Sequence, residues 1–346
     1  MKDVLKFSAK EILNINRPEK LFTDKSSAKK EYYELSKVWH PDKNPSVDPK
    51  VFAQISLLYT IAEKKIGEDA WEVIGSTIIE TLDRKKYKIR YHSHKTFELG
   101  EIYICDTVMV YLIDKTNKDL VDRCKYIING FRFADDKMKA EINRFLPHIS
   151  TISETENHFF IAFNKTKDVI SLRDIFDHLG GKIPAVHVAW ILSRLYNLSC
   201  YMKFTGVSNN AINMDTFLIS PSLHSGILIG GWWYASKIGE KLIAVPSHTL
   251  NNIPKKLISD KVGSSKIDSE LIKSLGREML GDITGAKLLN DPEIPKPLFN
   301  WLQSPGSDDP FSDYRTWMEK ILINSFGKRK FVEWNLKVDD IYNNIK

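Results

Sequence analysis

Between residues 27 and 39 the apolar positions Ala28, Tyr32, Leu35 and Trp39 recur at the spacing of one helical face, and such a face has to be buried. Lys29, Lys30, Tyr33 and Lys37 fall on the opposite side of the wheel as a basic stripe, with Glu31 and Glu34 on a separate flank. Asp24, Ser26 and Ser27 offer capping oxygens at the start. Pro41 ends the helix at His40, because the residue before a proline is pushed out of helical geometry. A second helix begins at Asp48 and Pro49, a capping residue followed by a favourable first helical residue, and buries Phe52, Ile55, Leu58, Tyr59 and Ala62. Two amphipathic helices with a short polar connection predict an antiparallel hairpin whose exposed tip carries His40, Pro41 and Asp42.

Residues 67–84 keep a helical period through Trp71, Ile74, Ile78 and Leu82, which predicts a packed helical linker. From Lys85 to about Asn164, short apolar runs (YKIRYH, EIYIC, TVMVYLI, KYIIN, HFFIAF) alternate with polar turns and predict a small sheet, interrupted by one helix from about Ala134 to Phe145. After Ser171 the pattern is helical, through SLRDIFDHLG, VHVAWILSRLYNLSCYMKF, SELIKSLGREML and FSDYRTWMEKILINSF, the last closed by Gly327. The fold class is α+β: an all-α hairpin, then a strand-rich lobe and a helix-rich lobe. The expected domains are 1–66, the linker 67–84, and 85–346 divided into a small lobe 85–170 and a large lobe 171–346.

Composition narrows the classes. At 346 residues, 42% hydrophobic and 27% charged, the chain is of ordinary globular type with room for two or three domains. Its longest apolar stretches, such as Ile227 to Ala235, fall far short of the roughly 18 residues that suggest a membrane span. The start, MKDVLKFSAK, lacks a secretory core, so the expected location is the cytoplasm. Cys105, Cys124 and Cys200 have no paired spacing and suggest neither a zinc module nor a disulfide framework. The net charge of +6 is modest and interleaved with acids, so a nucleic-acid partner is not indicated, and no metal or cofactor motif stands out.

The predicted hairpin resembles the J-domain of DnaJ-type co-chaperones, whose invariant His-Pro-Asp lies between the second and third helices. The likeness rests on the basic second helix, on WHPDKNP and on FAQISLLYTIA, with EILNI similar to the short first helix; it covers residues 8–66. It implies docking on a DnaK-type ATPase chaperone through His40, Pro41 and Asp42, with Lys29, Lys30, Tyr33 and Lys37 on the docking face. Tyr33 and Glu34 stand where many J-domains carry further basic residues, and no Gly/Phe-rich or cysteine-repeat client module follows Lys65.

The rest resembles a protein kinase: HFFIAFN the strand entering the hinge, SLRDIF the helix after it, AWILSRLYNLSCYMKFTGV the helix before the catalytic loop, and KSLGREML the large-lobe helix. The chemistry departs from that family. Aligned on GVSNNAINMDTFLIS, the His-Arg-Asp tripeptide becomes Ser208, Asn209 and Asn210, so the catalytic aspartate is an asparagine; Asp215 takes the metal-binding asparagine's place, and Gly230 in LIGGWWYA that of the metal-binding aspartate. TFELGEIYIC has one glycine where a phosphate loop needs several, and Lys125 with Glu141 is the candidate lysine–glutamate pair. An asparagine does not accept the proton and a glycine does not hold magnesium, so the domain reads as a silent, pseudokinase-like platform. Trp232, Trp233 and Tyr234 read as lobe core, and Lys328, Arg329 and Lys330 as a solvated helix end.

The expectation is a co-chaperone adaptor that recruits a DnaK-type chaperone, stimulates its ATPase and directs it to a protein client. The alternatives are a divergent active kinase working through Asp215 and a structural interaction protein without chaperone coupling. The Lys-, Asn- and Ile-rich composition is compatible with a bacteriophage or other virus, and then with the host cytoplasm.

Overall fold

The computed structural model describes residues 4–15, 18–67, 75–328 and 330–342. The chain forms two compact units, one of Met1–Glu80 with Lys86–Tyr91 and one of Thr81–Lys85 with His92–Lys346.

In the first unit, α1 (Ala9–Asn14) opens with a capping box in which Ser8 and Glu11 satisfy each other's backbone N–H groups. α2 (Pro18–Leu21) leads to α3 (Ala28–Trp39) and α4 (Pro49–Gly67). Lys50 N–H donates to Asp48 Oδ1 at 2.9 Å, so Asp48 caps α4 with Pro49 in its first turn. α3 and α4 run antiparallel: Tyr32 stacks on Tyr59 at 4.1 Å, while further along α3 His40 meets Phe52, earlier on α4, at 4.6 Å. Ile12, Leu21, Phe22, Leu35, Val51, Ile55 and Leu58 form the core, each contributing about 1.5–3 kcal/mol by leaving water. Val51 is fully buried, whereas Phe52 and Tyr59 are half-buried and used in ring contacts. Glu31 also departs from the helical-wheel expectation, being only 5% exposed. Its carboxylate turns inward to accept from Thr23 N–H and Oγ1, which ties the α2–α3 connection to α3.

The predicted linker helix is replaced, among the described residues, by a strand. β1 (Ser76–Glu80) pairs antiparallel with the first half of β2 (Lys86–Phe97), from Ser76 opposite Arg90 to Glu80 opposite Lys86. Thr77, Ile78 and Ile79 are β-branched and lose side-chain freedom in a helix, and the partner strand outweighs the helical period. Trp71 and Ile74 lie outside the described residues.

In the second unit, the remainder of β2 joins β3 (Gly100–Cys105), β4 (Val108–Asp114), β6 (His158–Asn164) and β5 (His148–Glu154) in the order β2-β3-β4-β6-β5. α5 (Lys118–Asn129) and α6 (Asp136–Ile142) lie between β4 and β5 in sequence. KYIIN, expected as a strand, is the end of α5: Leu120, Val121, Cys124 and Ile127 repeat at helical spacing and are the buried residues. Lys125 is therefore a helical residue.

The helical half follows, from β7 (Ile170–Ser171), α7 (Leu172–His178) and the 21-residue α8 (Ala185–Thr205) through β8 (Val207–Ser208), β9 (Phe217–Ser220), β10 (Ser225–Leu228) and β11 (Ser236–Lys237). Then come α9 (Ser247–Asn252), α10 (Lys256–Ser259), α11 (Ser265–Met279), α12 (Lys296–Gln303), α13 (Pro310–Thr316), α14 (Leu322–Phe326) and α15 (Val338–Tyr342). α8 is apolar nearly all round and is buried against α11 and α13. Trp232, Trp233 and Tyr234 are core, at 0, 2 and 6% exposure. The three cysteines are buried and unpaired. No helix among the described residues is long and apolar enough to cross a membrane.

α11 approaches its neighbours closely through Gly276. A β-carbon there would lie 2.6 Å from Leu302 Cδ2 on α12 and 3.2 Å from Leu192 Cδ1 on α8. Gly276→Val is expected to destabilise the larger unit by about 1–3 kcal/mol through overpacking, measured by urea denaturation; unchanged stability would mean that these helices part without cost.

Candidate functional site

The first candidate is the loop after α3. His40 is extended (φ −73°, ψ 128°), as the residue before Pro41 has to be, and its N–H still bonds Ser36 O at 3.1 Å. Asp42 N–H donates to His40 Nδ1 at 3.2 Å, and the N–H groups of Lys43 and Asn44 both reach His40 O. With one ring nitrogen held by the backbone and the ring edge against Phe52, the imidazole has a fixed orientation, while the Asp42 side chain is 85% exposed. Lys29, Lys30, Tyr33 and Lys37 all lie on the exposed side of α3, and Lys37 pairs with Glu34 at 2.8 Å. The structure thus places every residue of this set on one short helix and its following loop.

The second candidate is a cleft of about 320 Å³ between the strand-rich and helical halves of the larger unit. Its sheet wall carries Lys95, Phe97 and Glu98 from the β2–β3 hairpin and Tyr111 from β4; the facing wall carries Ala211, Asn213, Asp215, Trp233 and His248. β4 is the third strand of this unit, and Val108–Asp114 contains no lysine. At its centre stands Tyr111, 1% exposed, packed edge-on to Trp233 at 4.7 Å and to Phe163 at 5.7 Å. A β-carbon on Gly230 would lie 2.7 Å from Tyr111 Oη and 3.2 Å from Thr216 Cγ2, so an aspartate at 230 has no room. An aromatic side chain fills the space next to the position where a metal ligand was sought.

Lys125 and Glu141 do not meet in this cleft. Lys125 lies on α5 and contacts Asp122 at 3.4 Å, and Glu141 is exposed on α6. A helical lysine one turn from an aspartate forms a local surface pair, not a strand-to-helix clamp.

Asn210 does not face the cleft either. It is fully buried with left-handed backbone (φ 62°), a conformation that asparagine tolerates. Its side-chain NH₂ lies 3.0 Å from both Tyr234 O and Ser236 Oγ, and its own carbonyl accepts from Thr249 Oγ1 at 2.8 Å. From this loop it is Ala211, Asn213, Asp215 and Thr216 that line the cavity. The loop is held from below by Asp268 of α11, whose two carboxylate oxygens accept from Asn209 N–H at 2.9 Å and Asn210 N–H at 2.8 Å. Burial pushes the Asp268 carboxyl up to about 7, against the opposing pull of those two donors.

Asp215 does line the cleft, but within a charge cluster. Arg173 Nε lies 3.5 Å and Lys95 Nζ 4.0 Å from its carboxylate, while Arg173 also binds Glu278 at 2.8 Å and Lys95 pairs with Asp174. At the hairpin tip, where a phosphate-cradling loop offers backbone N–H groups, this chain presents a carboxylate. Glu98 accepts from Tyr234 Oη at 2.7 Å and from Ser247 Oγ at 3.0 Å. A negative charge there opposes a polyphosphate. Sequence reading passed over Tyr111, Glu98, Arg173 and Asp268. The one legible hint was Asp268, an acid in the α11 stretch that also holds Ile267, Leu271, Ile272 and Leu275.

The solved structure of vaccinia related kinase 3 is similar to this chain, with a TM-score of 0.51 over 73% of this chain and 94% of that one, at 13% identity. The larger unit accordingly has a kinase-like fold, and at that identity the likeness extends to the fold alone. No protein-family model and no curated protein matches the sequence.

Because the folded state holds the Asp268 proton more tightly than an unfolded carboxyl with its ordinary value of 3.8, stability falls as pH rises from about 4 through 7. Asp268→Asn is expected to remove that slope. It also costs about 1–3 kcal/mol, since an amide NH₂ then faces a backbone N–H. Urea denaturation between pH 5 and 8 checks both, and an unchanged slope would exclude Asp268 as its source.

Proposed function

We propose that this chain is a catalytically silent, kinase-like adaptor whose N-terminal helices recruit a DnaK-type chaperone and stimulate its ATPase on behalf of a protein client held by the larger unit. The observation that carries the reading is the loop between two antiparallel helices, where a fixed His40 imidazole and an exposed Asp42 follow the Lys29, Lys30 and Lys37 face. An oriented imidazole and an exposed carboxylate suit contact with a chaperone, and the lysines suit an acidic surface on it. The cleft supports the silent half of the reading. Its third strand has tyrosine for lysine, Gly230 has no room for a carboxylate, Asn210 is buried on Tyr234 and Ser236, and Asp215 is engaged by Arg173. The expected place of action is the cytoplasm, and the protein client is undefined by chemistry on the surface.

The steady-state ATPase rate of a DnaK-type chaperone is expected to rise several-fold with the purified chain and to stay basal with His40→Gln. Lys29→Glu with Lys30→Glu should raise the concentration needed for stimulation, more so at low salt. A rise that survives His40→Gln would sink the adaptor reading. The silent reading has its own check, because a bound nucleotide stabilises a fold by mass action. Magnesium–ATP at millimolar concentration is expected to leave the melting temperature unchanged, whereas a shift of several degrees abolished by Asp215→Ala would return the chain to the phosphotransferases.

A further inference from the structure

The segment after Gly327 crosses the helical half of the larger unit before it reaches α15. Phe331 stacks on His224 and Trp334 on His187, each at 4.2 Å, so its first part is pinned to that half. Residues 330–337 form no helix or strand, and α15 has five residues, of which Ile341 and Tyr342 are buried. A helix that short is not stable in water by itself, so α15 is either docked or unwound.

It docks where the two halves are joined. The chain passes from the strand-rich half to the helical half through residues 165–169, between β6 and β7. Just beyond that crossing, Ser171 N–H donates to Tyr342 Oη at 3.3 Å, and Tyr342 Oη donates in turn to Asp174 Oδ2 on α7 at 2.8 Å. Burial pushes the phenol up and the Asp174 carboxylate adds to this, so Tyr342 keeps the proton it donates. The ring of Tyr342 lies flat on His92 of β2, with centroids 5.0 Å apart and planes at 14°. His92 Nε2 reaches Asp106 Oδ1 in the β3–β4 turn at 2.6 Å, and Asp106 O accepts from Lys165 Nζ, at the start of the crossing, at 2.8 Å. Lys95 of β2 pairs with Asp174. One side chain of α15 therefore closes a circuit of contacts through β2, the β3–β4 turn, the crossing and α7.

We propose that α15 is a releasable lock on this crossing. Docked, it holds the strand-rich half against α7; unwound, it lets the halves turn about residues 165–169 within the reach that the Glu98 bonds at the hairpin tip allow. The other members of the circuit are built into a sheet, a longer helix or the crossing itself, whereas α15 leaves its place by withdrawing Ile341 and Tyr342. A helix-to-coil change in five residues thereby sets how far the cleft opens. The lock is independent of any chaperone coupling by the first unit.

Pulsed electron spin resonance on the full chain, labelled at Glu156→Cys in the strand-rich half and Lys296→Cys in the helical half, reads the separation of the halves. Both positions are exposed, and the native cysteines are buried. In a Glu98→Ala background, which removes the bonds at the tip, the distance distribution is expected to stay narrow with Tyr342 in place and to become at least about twofold broader with Tyr342→Ala. Tyr342→Phe, which keeps the ring on His92 and loses both hydrogen bonds, should lie between. Hydrogen exchange of residues 92–97 and of α7 should quicken at least about fivefold in Tyr342→Ala while α11 and α12 keep their wild-type rates. An unchanged width in Tyr342→Ala overturns the proposal, as does a distribution already broad with Tyr342 in place. Exchange that quickens equally in α11 and α12 overturns it too, because Tyr342 is then ordinary core. Where Tyr342→Ala does not fold, Tyr342→Phe decides by the same two readouts.

Discussion

The larger unit depends on one buried carboxylate. Asp268, inside α11, reaches both N–H groups of the Asn209–Asn210 step, and those two bonds set the path of the loop between β8 and β9. From that anchor Asn210 adopts its left-handed backbone and spreads its amide to Tyr234 and Ser236, while Ala211, itself buried, lines the cleft. Gly231 then has to pass close by, since a β-carbon on it would lie 2.9 Å from Ala211 Cβ and 3.0 Å from Asn209 Oδ1. A buried charge is costly unless its acceptors are used, and here two main-chain donors use them. The wall of the cleft is thus held in place from below by α11.

Much of the fold was legible in the chain, and the reasons differ by element. α3, α4 and α11 were readable because their apolar positions keep a single period over three or more turns, and α8 because its apolar run is too long for a strand. The stretch 76–80 was misread because Ile78 and Leu82 keep a helical interval while Thr77, Ile78 and Ile79 also suit a strand, and the partner at 86–90 is not visible locally. KYIIN failed in the opposite direction: five residues taken alone look like a strand, and only the longer run from Leu120 shows the helix.

The site was less legible than the fold. Alignment by sequence put Asn210 at the catalytic position, yet its side chain is buried on Tyr234 and Ser236, contacts that no local pattern shows. The pair Lys125 and Glu141 was sought because a strand lysine is the expected partner of a helix acid; the strand concerned holds Tyr111 instead. Tyr111, Glu98 and Arg173 owe their significance to neighbours more than a hundred positions away in the chain, and no local pattern announces such contacts. His40, Pro41 and Asp42 were the reverse case, since their geometry follows from three adjacent residues and the proline among them.

The Glu98 carboxylate has a mechanical meaning. In a fold of two halves around a cleft, the halves commonly pivot, and a ligand joins them when it arrives. Here the hairpin tip is already joined to the helical half through Tyr234 and Ser247, by bonds internal to the chain. Opening the cleft in this chain requires those bonds to break. Under the adaptor proposal, a protein that met both halves would find them already joined, so less ordering would oppose its association.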